Sequence, residues 1–171
     1  DMLGTRLHEV EEPTGRPFEP WPVPEAFCET ELVDDLRLRW MKNRPLCSSS
    51  VAIRTARLRA MDPWFYEGEA WGEDLDMWFR VADHAPVAIV NAPYCKVRAD
   101  LPGSLSRRVP QKRHLPPFVV RMRQQALDGT IPARHRASAL WFVAQSQVTM
   151  AREALAQAQR LEALSWLLKG R

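Results

Sequence analysis

The stretch "EAWGEDLDMWFRVADHAP", residues 69–86, decides how the chain is read. It sets Glu73 and Asp74 side by side directly after Trp71 and Gly72, with Asp76 two residues on. An apolar set follows. Leu75, Trp78, Phe79 and Ala82 fall at i, i+3, i+4 and i+7, and this spacing predicts a helix with one face turned inward. The two acids then stand in its first turn, where the helix dipole and the free backbone N–H groups stabilise negative charge. Such a carboxylate is suited to accept a proton rather than to donate one. From the residues alone two readings stay open: the acids cap the helix, or one of them does chemistry.

Working outward, "PLCSSSVAIR" (45–54) is small and then β-branched, which predicts a buried strand reached through a Ser-rich turn. "TARLRAM" (55–61) predicts a short helix with Thr55 as its N-cap. "ETELVDDLRLRWMK" (29–42) carries Leu32, Leu36 and Trp40 at helical spacing and is read as one helix. "MLGTRLHEV" (2–10) alternates loosely as a strand does, and the five prolines of "EEPTGRPFEPWPVP" (11–24) make a loop. "DPWFYEGEAWG" (62–72) is a loop of aromatics, acids and glycine.

Downstream, "PVAIVNAP" (86–93) and "YCKVRAD" (94–100) read as two short strands, and "LPGSLSRRVPQKRHLPP" (101–117) as a loop. Helix is predicted from Phe118 to Leu127 and again from about Ala133 to Leu168. In the second of these, Trp141, Val148, Leu155, Leu161 and Leu164 are expected to line an inner face. The order of elements is α/β material without an internal repeat. It lacks the earlier strands that a complete doubly wound domain supplies. The expected division is 1–115 for the α/β part and 116–171 for a C-terminal helical extension.

The 171 residues suit one domain or a large piece of one, and 46% apolar residues are enough for a core. The seven Trp serve either that core or platforms for a flat ligand such as a sugar ring. Charge is uneven. Residues 1–37 hold ten acids against Arg6, Arg16 and Arg37, whereas residues 98–136 hold nine Lys or Arg against Asp100 and Asp128. The second stretch either meets a polyanion, phosphate or anionic membrane surface, or is a solvated basic face. Apart from Phe118 no aromatic interleaves with it, so base stacking has little support and no nucleic-acid partner is expected. Cys28, Cys47 and Cys95 are odd in number and lack C-x-x-C spacing, which argues against a disulfide framework or zinc site and fits a reducing cytosol. No apolar run reaches the roughly 20 residues needed to span a bilayer, and no signal peptide is visible. His8, His84, His114 and His135 are scattered, and no Gly-rich phosphate loop is present.

Four pieces in order, "SSSVAIR" (48–54), "MDPWFYEG" (61–68), "GEDLDMWFR" (72–80) and "YCKVRADLPGSLS" (94–106), carry a family resemblance. The series resembles the acceptor-side half of family 2 glycosyltransferases of the GT-A fold. Those enzymes show a small-residue strand ending in Arg, a "gg-F-d-E" loop, an E-D-x-D-x-W-x-R-like helix start, and a strand with "Y-R-x-H…S-x-S". The resemblance covers roughly residues 40–110. It implies a partial GT-A sheet with flanking helices, transferring a sugar from a nucleotide diphosphate donor to an acceptor hydroxyl with inversion. A saccharide or lipid-linked glycan is the implied acceptor.

By that resemblance Asp74 is the base that takes the acceptor proton, Glu73 binds acceptor hydroxyls and Trp71 lies against a sugar face. Asp76 is structural, and Arg80 pairs with a nearby acid and has no catalytic part. Arg98 and Arg107 would clamp the diphosphate, since guanidinium forks match phosphate oxygens. A divalent cation, Mg²⁺ or Mn²⁺, is implied for the leaving group, normally held by a D-x-D motif. "VDDLR" (33–37) sits within a predicted helix and is not such a motif. Asp100 stands where the family has His, as a metal ligand or a turn residue. The donor-binding half is expected upstream or on a second chain, with the whole at the cytoplasmic side and near the inner face of a membrane. The alternative is a non-catalytic interaction module with a basic phosphate- or membrane-binding stretch.

Overall fold

A computed structural model describes residues 1–10, 29–69, 71–98 and 114–169. Among them the fold is mixed α/β, with one four-stranded sheet and six α-helices. They form two compact units. One draws on residues 1–62 and 84–110, the other on 63–83 and 111–171. The expected loops at 11–24 and 101–113 lie outside the described residues.

The first unit is built on its longest strand. β1 (Met2–Val10), β2 (Thr30–Val33), β3 (Val51–Ile53) and β4 (Val87–Arg98) pair in the order β2-β4-β1-β3. β1 and β4 run parallel; the other two pairings are antiparallel. The two strands expected at 86–93 and 94–100 are thus one. Its pairing with β1 slips once: Thr5 faces Val90, but Leu7 faces Cys95. The extra residues on β4 include Pro93, which has no N–H to give the ladder, so the pairing is interrupted there without ending. Arg6 faces this irregularity and its Nε donates to Asn91 Oδ1 at 3.1 Å.

The helix expected over 29–42 is a strand followed by a helix. Thr30–Val33 pairs with β4, and α1 runs only from Leu36 to Lys42. Asp35 divides them. Its carboxylate accepts the Leu38 N–H at 3.1 Å as the N-cap of α1, so "VDDLR" is a helix start rather than helix interior. Leu32, 72% exposed, belongs to the open side of β2 and not to a buried helical face. Arg39 of α1 reaches back to Glu31 of β2 at 3.0 Å. The Ser-rich turn is a 3₁₀ turn, Ser48–Ser50, entering the short edge strand β3. α2 spans Thr55–Arg59, with Arg54 rather than Thr55 at the N-cap position. The core of this unit includes Met2, Val33, Leu36, Leu46, Val87 and Ile89. Leu46 fills the space over Gly4, where an added Cβ would lie 2.1 Å from its Cδ2.

The second unit is helical. α3 (Glu73–Ala82) buries Met77, Trp78, Phe79, Val81 and Ala82, so the face expected from the i, i+3, i+4 pattern is buried, with Leu75 half-buried. α4 (Pro117–Asp128) begins with Pro in its first turn, where no intrahelical N–H is lost, and ends on Gly129 at φ +87°. α5 (Ala133–Ala156) and α6 (Arg160–Lys169) replace the single helix expected over 133–168. The break falls at Ala158, whose φ of +61° no helix tolerates. Gln147 of α5 donates to the carbonyl of Lys169 at 3.1 Å, so α6 folds back along α5. Met150, Ala151, Ala154, Ala163 and Trp166 form the seam between them.

That return reverses the expected inner face. Trp141 is 64% exposed, Leu161 is 86% exposed, and Val148, Leu155 and Leu164 are exposed as well. The buried side of α5 is instead Ala139, Phe142, Val143, Gln147, Met150, Ala151 and Ala154. Phe142 meets Phe79 edge-on with centroids 5.2 Å apart. Trp141→Ala is therefore expected to change stability by no more than about 0.5 kcal/mol. Its neighbour's truncation, Phe142→Ala, should cost about 3–5 kcal/mol in urea unfolding.

Candidate functional site

The start of α3 is set by Gly72. Its φ is +80°, and a Cβ placed there would lie 2.4 Å from the Phe118 ring of α4. Only glycine combines that backbone with that approach. The chain therefore turns sharply onto the α4 surface and starts α3 with Glu73, Asp74 and Asp76 in the first turn.

Asp76 is buried, 5% exposed, and saturated by cations. Arg80 Nε lies 2.9 Å from its Oδ2, one helical turn along. Arg121 Nη2 from α4 lies 3.2 Å from its Oδ1. Both arginines also hold the aromatic-acid loop that precedes α3. Arg80 donates to the carbonyls of Pro63 and Trp64, at 2.7 and 2.6 Å. Arg121 grips Glu69 in a fork, at 2.5 and 3.2 Å, and its guanidinium lies 3.5 Å from the centre of the Tyr66 ring. Burial alone would lower the Arg121 pKa. Its hydrogen bond to Glu69 and the charges of Asp76 and Glu69 outweigh that, and hold it above the ordinary value. The acid expected to pair with Arg80 is Asp76, whereas Arg121, Glu69 and Tyr66 were not found from the sequence. Nothing in the spacing of 52 residues between Glu69 and Arg121 signals their pairing.

Glu73, Asp74 and Trp71, all half-buried, stand at this anchored helix start. Asp74 Oδ1 accepts the Leu75 N–H at 2.7 Å, so this carboxylate takes a backbone donor of the first turn. Glu73 differs. Its Oε2 is shut off from solvent and has no hydrogen-bond partner among the described residues. A buried carboxylate oxygen left unpaired costs on the order of 1–3 kcal/mol or more, and a donor from a ligand would remove that cost.

Of the remaining expected site residues only Arg98 is described. Arg98 closes β4 in the first unit. Asp100 and Arg107 lie outside the described residues. Among the described residues no cluster of three or more His, Cys, Asp or Glu could hold a metal ion. A recess of about 400 Å³ opens in the first unit between Asp1, Met2, Leu3, Ala52, Ile53 and Arg54, and contains none of the expected site residues. One further pair was missed from sequence: His135 Nδ1 lies 2.9 Å from Asp83 Oδ1, and Arg134 donates to the Asp83 carbonyl at 2.8 Å. These contacts tie the start of α5 to the end of α3. Ser138 bonds the His135 backbone carbonyl rather than its ring, so no Ser-His-Asp relay exists there. Among the described residues no helix is long and apolar enough to cross a membrane.

No protein-family model, curated protein or solved structure matches the chain.

Three single substitutions and one triple variant test this arrangement. Gly68 is also at positive φ, +79°, but has nothing within 4 Å of an added Cβ. Gly68→Ala should cost about 1 kcal/mol of backbone strain, whereas Gly72→Ala adds overlap with Phe118 of about 1–3 kcal/mol more. Thermal unfolding followed by circular dichroism separates the two. Arg121→Met strands Glu69 and Asp76 and is expected to lose about 3–5 kcal/mol, with part regained in the triple variant that adds Glu69→Gln and Asp76→Asn.

Proposed function

We propose that this chain supplies the acceptor side of an inverting family 2 glycosyltransferase of the GT-A fold. The observation that carries the proposal is the pairing of roles at the start of α3. Asp76 is consumed by two arginines, while the carboxylate next to Asp74, that of Glu73, keeps one desolvated oxygen without a donor among the described residues. In this reading the hydroxyl of an acceptor sugar supplies the donor that this oxygen lacks. The ordered motif series around it, from the Ser-rich turn to β4, adds the family resemblance.

In this reading Glu73 accepts a hydrogen bond from one acceptor hydroxyl and Trp71 offers its face to the ring. The attacking hydroxyl passes its proton to the Asp74 carboxylate as its oxygen bonds to the anomeric carbon of the donor sugar. The bond from that carbon to the diphosphate breaks, and the electron pair leaves with the nucleoside diphosphate, so the anomeric centre inverts. Arg98, with Arg107, would meet the leaving phosphates. The divalent cation expected for the family has no ligand cluster among the described residues. The nucleotide sugar, a glycan or lipid-linked acceptor, an upstream or separate donor half, and a cytoplasmic setting near the membrane's inner face belong to the same proposal.

The experiment is a donor panel. Sugar transfer and donor hydrolysis are measured with several nucleotide sugars, using the longest form of the protein that contains residues 1–171. Asp74→Asn should lose on the order of 10² or more in rate. Glu73→Gln should instead raise the acceptor KM more than it lowers kcat. Undiminished turnover by Asp74→Asn makes Asp74 a helix cap. Absence of turnover with every donor favours the non-catalytic interaction module.

A further inference from the structure

We propose that Cys47 and Cys95 form a site of thiol oxidation, closing to an internal disulfide when a disulfide oxidant such as oxidised glutathione is supplied. The two sulfurs lie 3.6 Å apart, and both residues are buried in the first unit. Each sits on an anchored segment. Cys47 follows Leu46, which is fully buried against Gly4 of β1. Its N–H donates to Ser50 Oγ at 3.0 Å, and that hydroxyl donates back to the Cys47 carbonyl at 3.0 Å. Cys95 lies opposite Leu7 in the parallel β1–β4 pairing. The sulfurs are thus held in contact by two separately anchored segments, 48 residues apart in the chain.

A disulfide needs a sulfur separation of about 2.05 Å, so closure asks for about 1.5 Å of approach. The step balances simply. One thiol gives up its proton, and its thiolate attacks a sulfur of oxidised glutathione, releasing one glutathione thiolate and leaving a mixed disulfide. The second cysteine, deprotonated in turn, attacks the protein sulfur and releases the other. Two protein thiols are oxidised to one cystine, and one oxidised glutathione is reduced to two thiols. Burial, with the hydrogen bond to and charge of Cys47, pushes the Cys95 thiol from 9.0 up to about 11, against a smaller lowering by Ser49. The reaction is therefore slow at neutral pH and accelerates as pH rises, because the thiolate is the nucleophile. Burial also makes the closed bond hard to reach once formed. It would tie the Ser-rich turn to the strand that ends at Arg98.

The test is an oxidation series read by intact mass after alkylation, followed by peptide mapping. The chain is incubated with oxidised glutathione at neutral and at raised pH. The expected product has lost two hydrogens and yields one linked pair of peptides, containing Cys47 and Cys95, with Cys28 alkylated. It forms faster at the higher pH, and its midpoint of thermal unfolding rises by about 5 °C or more. Cys28→Ser should behave in the same way, and Cys95→Ser should give no internal bond. A stable glutathione adduct on either buried cysteine, a bond to Cys28 or between molecules, or three unreacted thiols after prolonged incubation at the raised pH would overturn the proposal. If Cys95→Ser does not fold, the peptide map of the unsubstituted chain decides alone.

Discussion

The carboxylate of Asp76 is the constraint on which the second unit depends. A charge buried on a helix needs opposite charges close by, because the low-dielectric surroundings make an unpaired one cost several kcal/mol. Two arginines supply them, one from the same helix and one from α4. Each arginine has donors left over. Those donors, and not any apolar packing, reach the Pro63 and Trp64 carbonyls and the Glu69 carboxylate, while Tyr66 lies against one guanidinium face. One buried acid thereby fixes a loop, a helix start and a second helix together.

That arrangement assigns the three acids of "GEDLD" different fates. Asp76 is neutralised. Asp74 takes a backbone N–H through one oxygen. Glu73 keeps an oxygen screened from water and unmatched among the described residues. The sequence shows three acids in four positions and a dipole that favours all of them equally. Arg80, one turn along the same helix, marks Asp76 out locally, but Arg121 comes from α4, and arrival from a distant segment is information that local spacing does not carry.

Much of the fold was legible where the signal is local. β1, α3 and α4 follow their periodicities within a residue or so, and Asp76 and Arg80 are an i, i+4 pair readable from the chain. The failures have physical causes. Thr30–Val33 reads as the first turn of a helix because Leu32, Leu36 and Trp40 share a spacing, but Asp35 caps the helix after the strand has already found β4. The stripe from Trp141 to Leu164 is an apolar line on the last segment, yet α6 folds back upon the alanine-rich side, where small side chains let two helices come close. Periodicity finds a face; which of two faces is covered depends on a partner helix whose position turns on one residue, Ala158. For the site, α3 and its acids were readable, whereas the Arg121–Glu69–Tyr66 support was not.

The place of β4 in the sheet has a consequence for how the chain is made. Among the described residues β2 has no neighbour except β4, and β1 has only the three-residue β3 on its other side. As the polypeptide leaves the ribosome, β1, β2 and β3 emerge first and wait for residues 87–98 before the sheet can close. Within that interval residues 63–83 appear too, and these must wait longer still, for the helices after 111. Each unit is completed by a segment synthesised after part of the other. No cut at a single point in the chain, made between them, would release either one whole.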